Sequence, residues 1–130
     1  MTESQIQQQT ISYLSMIASR HNFVFFSVPN EGIMSVLKMF KVPNNSCYAI
    51  VNFFKKMGLL PGVSDIMILH GGKAYCLEMK LPKYRDIEGY GQSKDQIQFQ
   101  ANVEKTGCKY SIAYNFRDVE VILKEWGVMG

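Results

Sequence analysis

The sequence predicts an α/β sandwich in which a mixed β-sheet is flanked by helices. Apolar residues recur at helical spacing near both ends of the chain, and short β-branched or aromatic runs lie between them. A Gly-Gly pair separates two of these runs, as in an antiparallel hairpin. A later helix must then cross the sheet before the last strand, which adds parallel pairing to the antiparallel hairpin.

The chain is expected to begin with a helix and a strand. Thr2-Glu3-Ser4-Gln5 has the form of a capping box, and apolar residues at helical spacing follow it, which predicts a helix over about residues 3–20. The aromatic and β-branched run 23–28 predicts a strand. Residues 29–32, Pro-Asn-Glu-Gly, predict a turn that ends this strand.

Residues 33–58 form the least regular part of the sequence. Asn45 or Ser46 is a candidate N-cap for a helix that Gly58 ends. The apolar side chains here exceed what a small core needs, so part of them is a candidate dimer interface, and core residues on an amphipathic helix are an equal alternative. They are Met34, Val36, Leu37, Met39, Phe40, Phe53 and Phe54.

The Gly71-Gly72 pair predicts a two-residue hairpin turn between two apolar runs. In that register His70 faces Lys73, and Asp65 lies directly opposite Glu78 with Cβ atoms about 4.5–5.5 Å apart. The runs are apolar at consecutive positions, which predicts strands covered on both faces. The two acids would then share one face at the end of a buried hairpin.

The second half of the chain predicts a loop, a helix, a strand and a final helix. Pro and Gly residues mark 81–93 as a flexible loop. A helix follows from Ser93 or Lys94 to Thr106, then a strand over 109–114 and a helix over 118–126.

Length and composition describe one ordinary globular domain over residues 1–130. The chain is 47% hydrophobic and 19% charged, with a net charge of +3. Residues 1–9 are polar and unlike a signal or transit peptide, and no apolar run approaches about 18 residues. We therefore expect a cytoplasmic protein that does not enter a membrane.

Three cysteines, Cys47, Cys76 and Cys108, are widely spaced and form no CxxC pair. This spacing disfavours a zinc site and predicts free, buried thiols in a reducing compartment.

Opposed carboxylates repel each other unless a cation lies between them or one is protonated. Asp65 and Glu78 therefore predict an oxygen-ligated Mg²⁺ or Mn²⁺. Strand alternation puts Lys80 on the same face as Glu78, where an ammonium can position water or neutralise a phosphate. We expect Lys80 to face solvent, so that its replacement by alanine leaves folding nearly unchanged. The alternative is an ordinary salt-bridged surface.

Three segments in order carry a resemblance to a known family: Gly62-Val63-Ser64-Asp65, Glu78-Met79-Lys80 and Gln92-Ser93-Lys94-Asp95-Gln96. They resemble the PD-(D/E)XK nuclease superfamily and, within it, the VRR-NUC group in its standalone phage or bacterial form. The resemblance spans about Glu3 to Trp126. It implies an αβββαβ core like that of restriction endonucleases and Mg²⁺- or Mn²⁺-dependent DNA hydrolysis.

The resemblance also implies roles at the metal. Asp65 and Glu78 would be ligands, with the Met79 carbonyl as a third. Glu3 would act as a ligand through water, although an acid that favours the helix dipole is the alternative.

Two further residues would be catalytic. Lys80 would orient the attacking water or stabilise the phosphate, and Gln96 would steady Lys80 or the scissile phosphate. An exposed helix glutamine is the alternative for Gln96.

Contacts with DNA are expected from the matched motifs and from a basic stretch. Tyr84 and Tyr90 in the loop are candidates for stacking on unpaired bases. The expected DNA contacts are Asn30, Glu31, Ser64, Lys83, Arg85, Ser93 and Lys94.

The standalone members of the group are similar to homodimeric resolvases of branched DNA, including Holliday junctions. We therefore expect a structure-selective homodimeric endonuclease acting in DNA repair or a related process. The alternatives are a catalytically silent nucleic-acid-binding subunit, a restriction-type endonuclease on duplex DNA, and a purely structural interaction protein.

Overall fold

The computed structural model describes the backbone of residues 1–130 and the side chains of all except residues 30 and 31. Helices and strands alternate along the chain, and a single turn of 3-10 helix, Pro82–Tyr84, follows the third strand. The elements are α1 (Glu3–Ile17), β1 (Phe23–Ser27), α2 (Asn30–Met39), α3 (Asn44–Lys56), β2 (Ile66–His70), β3 (Lys73–Met79), α4 (Lys94–Lys105), β4 (Lys109–Ala113) and α5 (Phe116–Glu125).

The four strands form one mixed sheet in the order β1-β2-β3-β4. The β1–β2 and β2–β3 pairs are antiparallel, and the β3–β4 pair is parallel. Because parallel neighbours need a crossover, α4 carries the chain from the end of β3 back to the start of β4. The mixed α/β sheet predicted from the sequence is confirmed.

The β2–β3 hairpin lies at the centre of the sheet in the predicted register. His70 pairs with Lys73, and the ladder runs to the Ile66–Leu77 pair. Gly71 and Gly72 have φ of 57° and 77°, the left-handed conformation that a tight two-residue turn requires. Asp65 and Glu78 are the next residues beyond the Ile66–Leu77 pair, at the open end of this hairpin.

The two faces of the sheet are covered by different helices. On one face, α1 and α5 enclose the main core, in which Leu14, Ile68, Leu77 and Leu123 are all buried. On the other face, α4 places Phe99 against Cys76 and Tyr110. Strand β3 is therefore buried along most of its length, and it carries the polar residues at its end into the interior.

The turn predicted over residues 29–32 is wrong, because α2 begins at Asn30. Pro29 occupies the N-cap position, and Ile33, Val36 and Leu37 have the i, i+3, i+4 spacing of a helix. A proline at the start of a helix costs no intrahelical hydrogen bond. The side chains of Asn30 and Glu31, two expected DNA contacts, lie outside the described residues.

Helices α2 and α3 pack mainly against each other and expose many large apolar side chains. Met39 and Phe40 are each 74% exposed. In α3, the buried residue is Cys47, and Phe53 and Phe54 contact each other edge to face at the surface. Among the seven apolar residues singled out from the sequence, Val36, Met39, Phe40, Phe53 and Phe54 are exposed, which excludes a core role for these five.

No described helix combines the length and the apolar character that crossing a membrane requires. The three cysteines are free thiols: Cys47 and Cys76 are buried, and Cys108 is partly buried.

Candidate metal centre at the end of the central hairpin

Three carboxylates that are distant in sequence meet at one end of the sheet. Glu3 comes from the first turn of α1, Asp65 from the residue before β2, and Glu78 from the penultimate position of β3. One carboxylate oxygen from each lies within 4.8 Å of the others. Glu78 is fully buried, whereas Glu3 and Asp65 are partly exposed. The acids predicted as metal ligands therefore form one cluster.

Asp65 is held in place by the backbone of the neighbouring strand. Its Oδ2 accepts a hydrogen bond of 2.8 Å from the Met79 N–H, and its carbonyl accepts one of 2.9 Å from the Val28 N–H. The backbone bond continues the pairing with β1 by one residue, and the side-chain bond joins Asp65 to the end of β3. Met79 thus contributes to the site through its N–H, while the role expected for its carbonyl stays a prediction.

Gln96 orients the buried Glu78 carboxylate. Its amide Nε2 donates to Glu78 Oε1 at 3.2 Å, and its Oε1 accepts from the Ser93 N–H at 2.9 Å. Ser93 Oγ in turn accepts from the Gln96 N–H at 3.2 Å, which completes a capping box at the start of α4. Gln96 is 2% exposed, so the alternative of an exposed helix glutamine is wrong.

Gly62 allows α4 to approach the start of β2 closely. Its φ is +78°, and a Cβ added there would overlap the Asp95 carbonyl group and come within 2.7 Å of the Gln96 nitrogen. Glycine is the residue that accepts both the left-handed backbone and this contact. The Gly-Val-Ser-Asp segment therefore positions Gln96 as well as Asp65.

Lys80 follows directly after β3 and continues its pairing, because its N–H donates to the Ala113 carbonyl at 3.0 Å. Its residue exposure is 6%, so the expectation of a solvent-facing lysine is wrong. Within the described residues, its ammonium makes neither a hydrogen bond nor an ion pair. A lysine whose side chain is mostly buried and whose ammonium has no fixed partner is typical of a functional group.

The donor set fits a hard divalent cation. Oxygens on opposite sides of an ion bound at about 2.1 Å are about 4.2 Å apart, so three oxygens within 4.8 Å need only a small adjustment to share it. Three carboxylate donors suit Mg²⁺ or Mn²⁺ better than a soft thiophilic metal. Cys76 lies on β3 near this end, but its Ser64 and Phe99 surroundings belong to the packed core.

A groove of about 700 Å³ opens beside the cluster. Glu3 and Asp65 are the acidic residues of its described lining, and the other described lining residues are uncharged. Side chains of α1, the end of β1 and α2 form its walls, with Gln7, Ser27 and Ser35 among the polar ones. The cluster is therefore accessible from solvent through this groove.

The remaining expected DNA contacts differ in their surroundings. Ser64 is fully buried, with its hydroxyl 3.4 Å from the Ile66 carbonyl oxygen and from Met67 Sδ, so it presents no group to a surface ligand. Arg85 forms a 2.6 Å ion pair with Asp118. Three others are exposed: Lys83, whose ammonium lies 5.1 Å from the Tyr84 ring centroid, Ser93 and Lys94.

Sequence reasoning missed three polar residues beside the cluster. Gln92 Nε2 donates to Gln100 Oε1 at 2.9 Å and to the Tyr110 hydroxyl at 3.2 Å. Gln96 and Gln100 are four residues apart in the predicted helix, a spacing that puts them on one face, whereas Gln92 precedes this helix. Tyr110 had no comparable sequence signal, because its position depends on the pairing of β4 with β3.

The chain matches no family model, and no curated protein or solved structure matches it significantly.

Proposed function

We propose that this protein is a Mg²⁺- or Mn²⁺-dependent deoxyribonuclease of the PD-(D/E)XK type. The observation that carries the proposal is the meeting of Glu3, Asp65 and Glu78 in the described part of the chain, with the mostly buried Lys80 two residues after Glu78. With α2 and α3 set aside as an insertion, the element order is α1-β1-β2-β3-α4-β4, which agrees with the αβββαβ order of that core.

The mechanism assigns each side chain a distinct task. Asp65 and Glu78 would hold the ion directly, and Glu3 would complete its shell directly or through water. When bound, Mg²⁺ or Mn²⁺ lowers the pKa of a water and polarises the scissile phosphate. The Lys80 ammonium orients that water and offsets charge that develops on the phosphate oxygens in the transition state.

Gln96 acts in this mechanism as a positioning residue. Its amide group connects Glu78 to the first turn of α4 through the Ser93 capping box. The connection restricts the Glu78 carboxylate to one orientation before the ion binds, and preorganised ligands lose less conformational entropy on binding. The contact with Lys80 or the scissile phosphate expected from the sequence stays a prediction.

We further propose branched DNA as the substrate and a homodimer as the active form. The substrate class rests on the resemblance of the motifs to the VRR-NUC group. The dimer is supported by the exposed apolar surface of α2 and α3, defined here by Val36, Met39, Phe40, Phe53 and Phe54. Paired active sites would allow both strands of a junction to be cut.

The deciding experiment compares cleavage of labelled four-way junction, flap, single-stranded and linear duplex DNA in Mg²⁺ or Mn²⁺ by wild type and Lys80→Met. Methionine keeps most of the buried volume while it removes the charge, so the variant should fold normally and lose cleavage by at least about 100-fold. Lys105→Met, which removes an exposed lysine in the last turn of α4, should cut as the wild type does.

Each other outcome selects an alternative. DNA binding without cleavage by the wild type indicates a silent binding subunit. Discrete fragments from linear duplex indicate a restriction-type enzyme. Neither binding nor cleavage by the folded protein would refute the nuclease proposal.

A further inference from the structure

A second cavity, of about 420 Å³, lies beside the carboxylate cluster on the side of β4. Its volume falls in the range of about 300–1,000 Å³ that is typical of small-molecule sites. Ile112 lines it and is the register partner of Glu78 on the adjacent strand. Because paired strands are about 4.8 Å apart, the cavity is next to the proposed reaction centre.

The walls of this cavity combine aromatic rings with amide groups. Tyr90 is 55% exposed and lines it, and the Arg85 guanidinium stacks on the Tyr114 ring at 4.8 Å from the centroid. Gln92 and Gln100 supply the amides. A planar ligand with donors and acceptors along its edge is the chemical class that such walls accommodate.

The polar groups keep hydrogen-bonding capacity for a ligand. Gln92 Nε2 serves both Gln100 Oε1 and the Tyr110 hydroxyl, which leaves Gln92 Oε1 and Gln100 Nε2 without a protein partner among the described residues. Burial first, and then the charge of Glu78, raises the pKa of Tyr110, so its hydroxyl stays protonated and can donate. Donors and an acceptor therefore border the same cavity.

The loop that carries Tyr90 is built in a specific conformation. Gly89, Tyr90 and Gly91 all have positive φ, of 81°, 54° and 82°. Positive φ is rare for a tyrosine and costs conformational energy, which is typical of residues held for a function. A Cβ at Gly91 would come within 2.8 Å of the Tyr84 ring, so this glycine lets the loop lie against Tyr84.

Both ends of the loop are also tied to the rest of the fold. At one end, Arg85 pairs with Asp118 at 2.6 Å, and at the other the Gln92 side chain donates to Gln100 and Tyr110. Within the loop, the Gln92 N–H donates to the Gly89 carbonyl at 2.9 Å. The Tyr90 N–H donates to the Ile87 carbonyl at 2.9 Å. The folded loop therefore places the Tyr90 backbone at the cavity before any ligand binds.

We propose that this cavity binds one unpaired nucleobase of the DNA strand whose phosphate lies at the carboxylate cluster, with Tyr90 stacking on the base and Gln92, Gln100 and Tyr110 contacting its edge. The inference rests on the proposed nuclease function and deepens it. A requirement for an unpaired base would select flapped or single-stranded DNA, and junctions whose branch point opens, over intact duplex, because a paired base cannot enter the cavity.

The test measures binding by fluorescence anisotropy, with Ca²⁺ in place of Mg²⁺ because it also takes oxygen ligands. The probes are a duplex with a single-stranded tail and the same duplex with an abasic tail. The wild type should prefer the tail that carries bases. Tyr90→Ala should lose roughly 5- to 100-fold on that probe, the effect of one stacking aromatic, and change little on the abasic tail.

Two further variants make the test specific. Tyr90→Phe keeps the ring and should retain the preference. Ile87→Ala removes a side chain that is 50% exposed in the same loop and does not line the cavity, so it should bind both probes as the wild type does. Gln100→Leu should weaken binding of the base-containing tail alone.

The outcomes separate this inference from the function on which it rests. If the wild type cuts DNA but binds both tails equally, or if Tyr90→Ala weakens both probes to the same extent, the base site is refuted and the nuclease stands. If the wild type neither binds nor cuts any DNA, both proposals fail.

Discussion

One face of the sheet is covered over β3 and β4 and open over β1 and β2. On the covered side, Cys76 and Glu78 are fully buried beneath α4. On the open side, Val24, Phe26 and Leu69 point to the same face and are 62%, 46% and 44% exposed. The expectation of strands covered on both faces is therefore right for β3 and wrong for the end of β2.

This difference explains where the polar site can exist. A buried carboxylate or ammonium needs surrounding groups that are held in place, and α4 provides Gln96 for Glu78. Over β1 and β2 the face has no such helix, and its side chains are apolar instead. Two neighbouring parts of one sheet face therefore differ. Over β3 and β4 a helix covers a preorganised polar site, whereas over β1 and β2 the apolar side chains stay exposed.

The largest expected effect comes from separating α4 from the sheet. Gly62→Ala places a Cβ against the Asp95 carbonyl group in a left-handed backbone, so we expect a loss of roughly 2–5 kcal/mol in the free energy of unfolding, measured by urea denaturation. The matched control is Gly107→Ala, with φ +89° and open space around it, which should cost about 1 kcal/mol. Equal losses in both variants would show that the contact with α4 is unimportant.

The next-largest effect is expected from removing the negative charges of Asp65 and Glu78. The double variant Asp65→Asn, Glu78→Gln should lose Mn²⁺ affinity by at least about 100-fold in isothermal titration calorimetry. In EDTA its melting temperature should exceed that of the wild type by a few degrees, because the repulsion within the cluster is removed. The control replaces two exposed loop acids, Asp86→Asn and Glu88→Gln. A wild-type metal response in the first variant would contradict the assignment of the ligands.

A smaller effect should distinguish the two apolar surfaces. Met39→Ser with Phe40→Ser should weaken self-association by at least about 10-fold in sedimentation velocity, with monomer stability nearly unchanged because both residues are 74% exposed. Val24→Thr with Leu69→Thr changes the open sheet face and should leave association unaltered. The reverse result would move the dimer contact from α2 and α3 to the sheet.

The last effect is absent at neutral pH and arises only at high pH, from the Cys76 thiol under α4. Burial is the main cause that raises its pKa from 9.0 to about 11. The folded state disfavours the thiolate, so stability is fully present below pH 9 and is lost as the pH rises through about 11, by up to about 3 kcal/mol. Cys76→Ala should show a shallower decline over this interval in chemical denaturation, and parallel profiles would contradict the argument.

The sequence alone determined the local elements and the pairing of the central hairpin. The Gly71-Gly72 turn set the register by counting outward, and this placed Asp65 opposite Glu78 without knowledge of the fold. The capping box at Thr2 begins α1 as predicted, and α4 begins at Lys94, one of the two predicted starts. These features depend on residues close in sequence, whose spacing carries the information.

Tertiary structure alone decided what surrounds these elements. Burial of Lys80 and Gln96, exposure of Leu69 and the contact of Tyr110 with Gln92 all depend on where α4 and β4 lie against β3. Residues far apart in sequence meet there because the crossover and the close approach at Gly62 set the position of one helix. Periodicity predicts which side of a strand a residue faces, but what covers that side depends on how the whole chain packs.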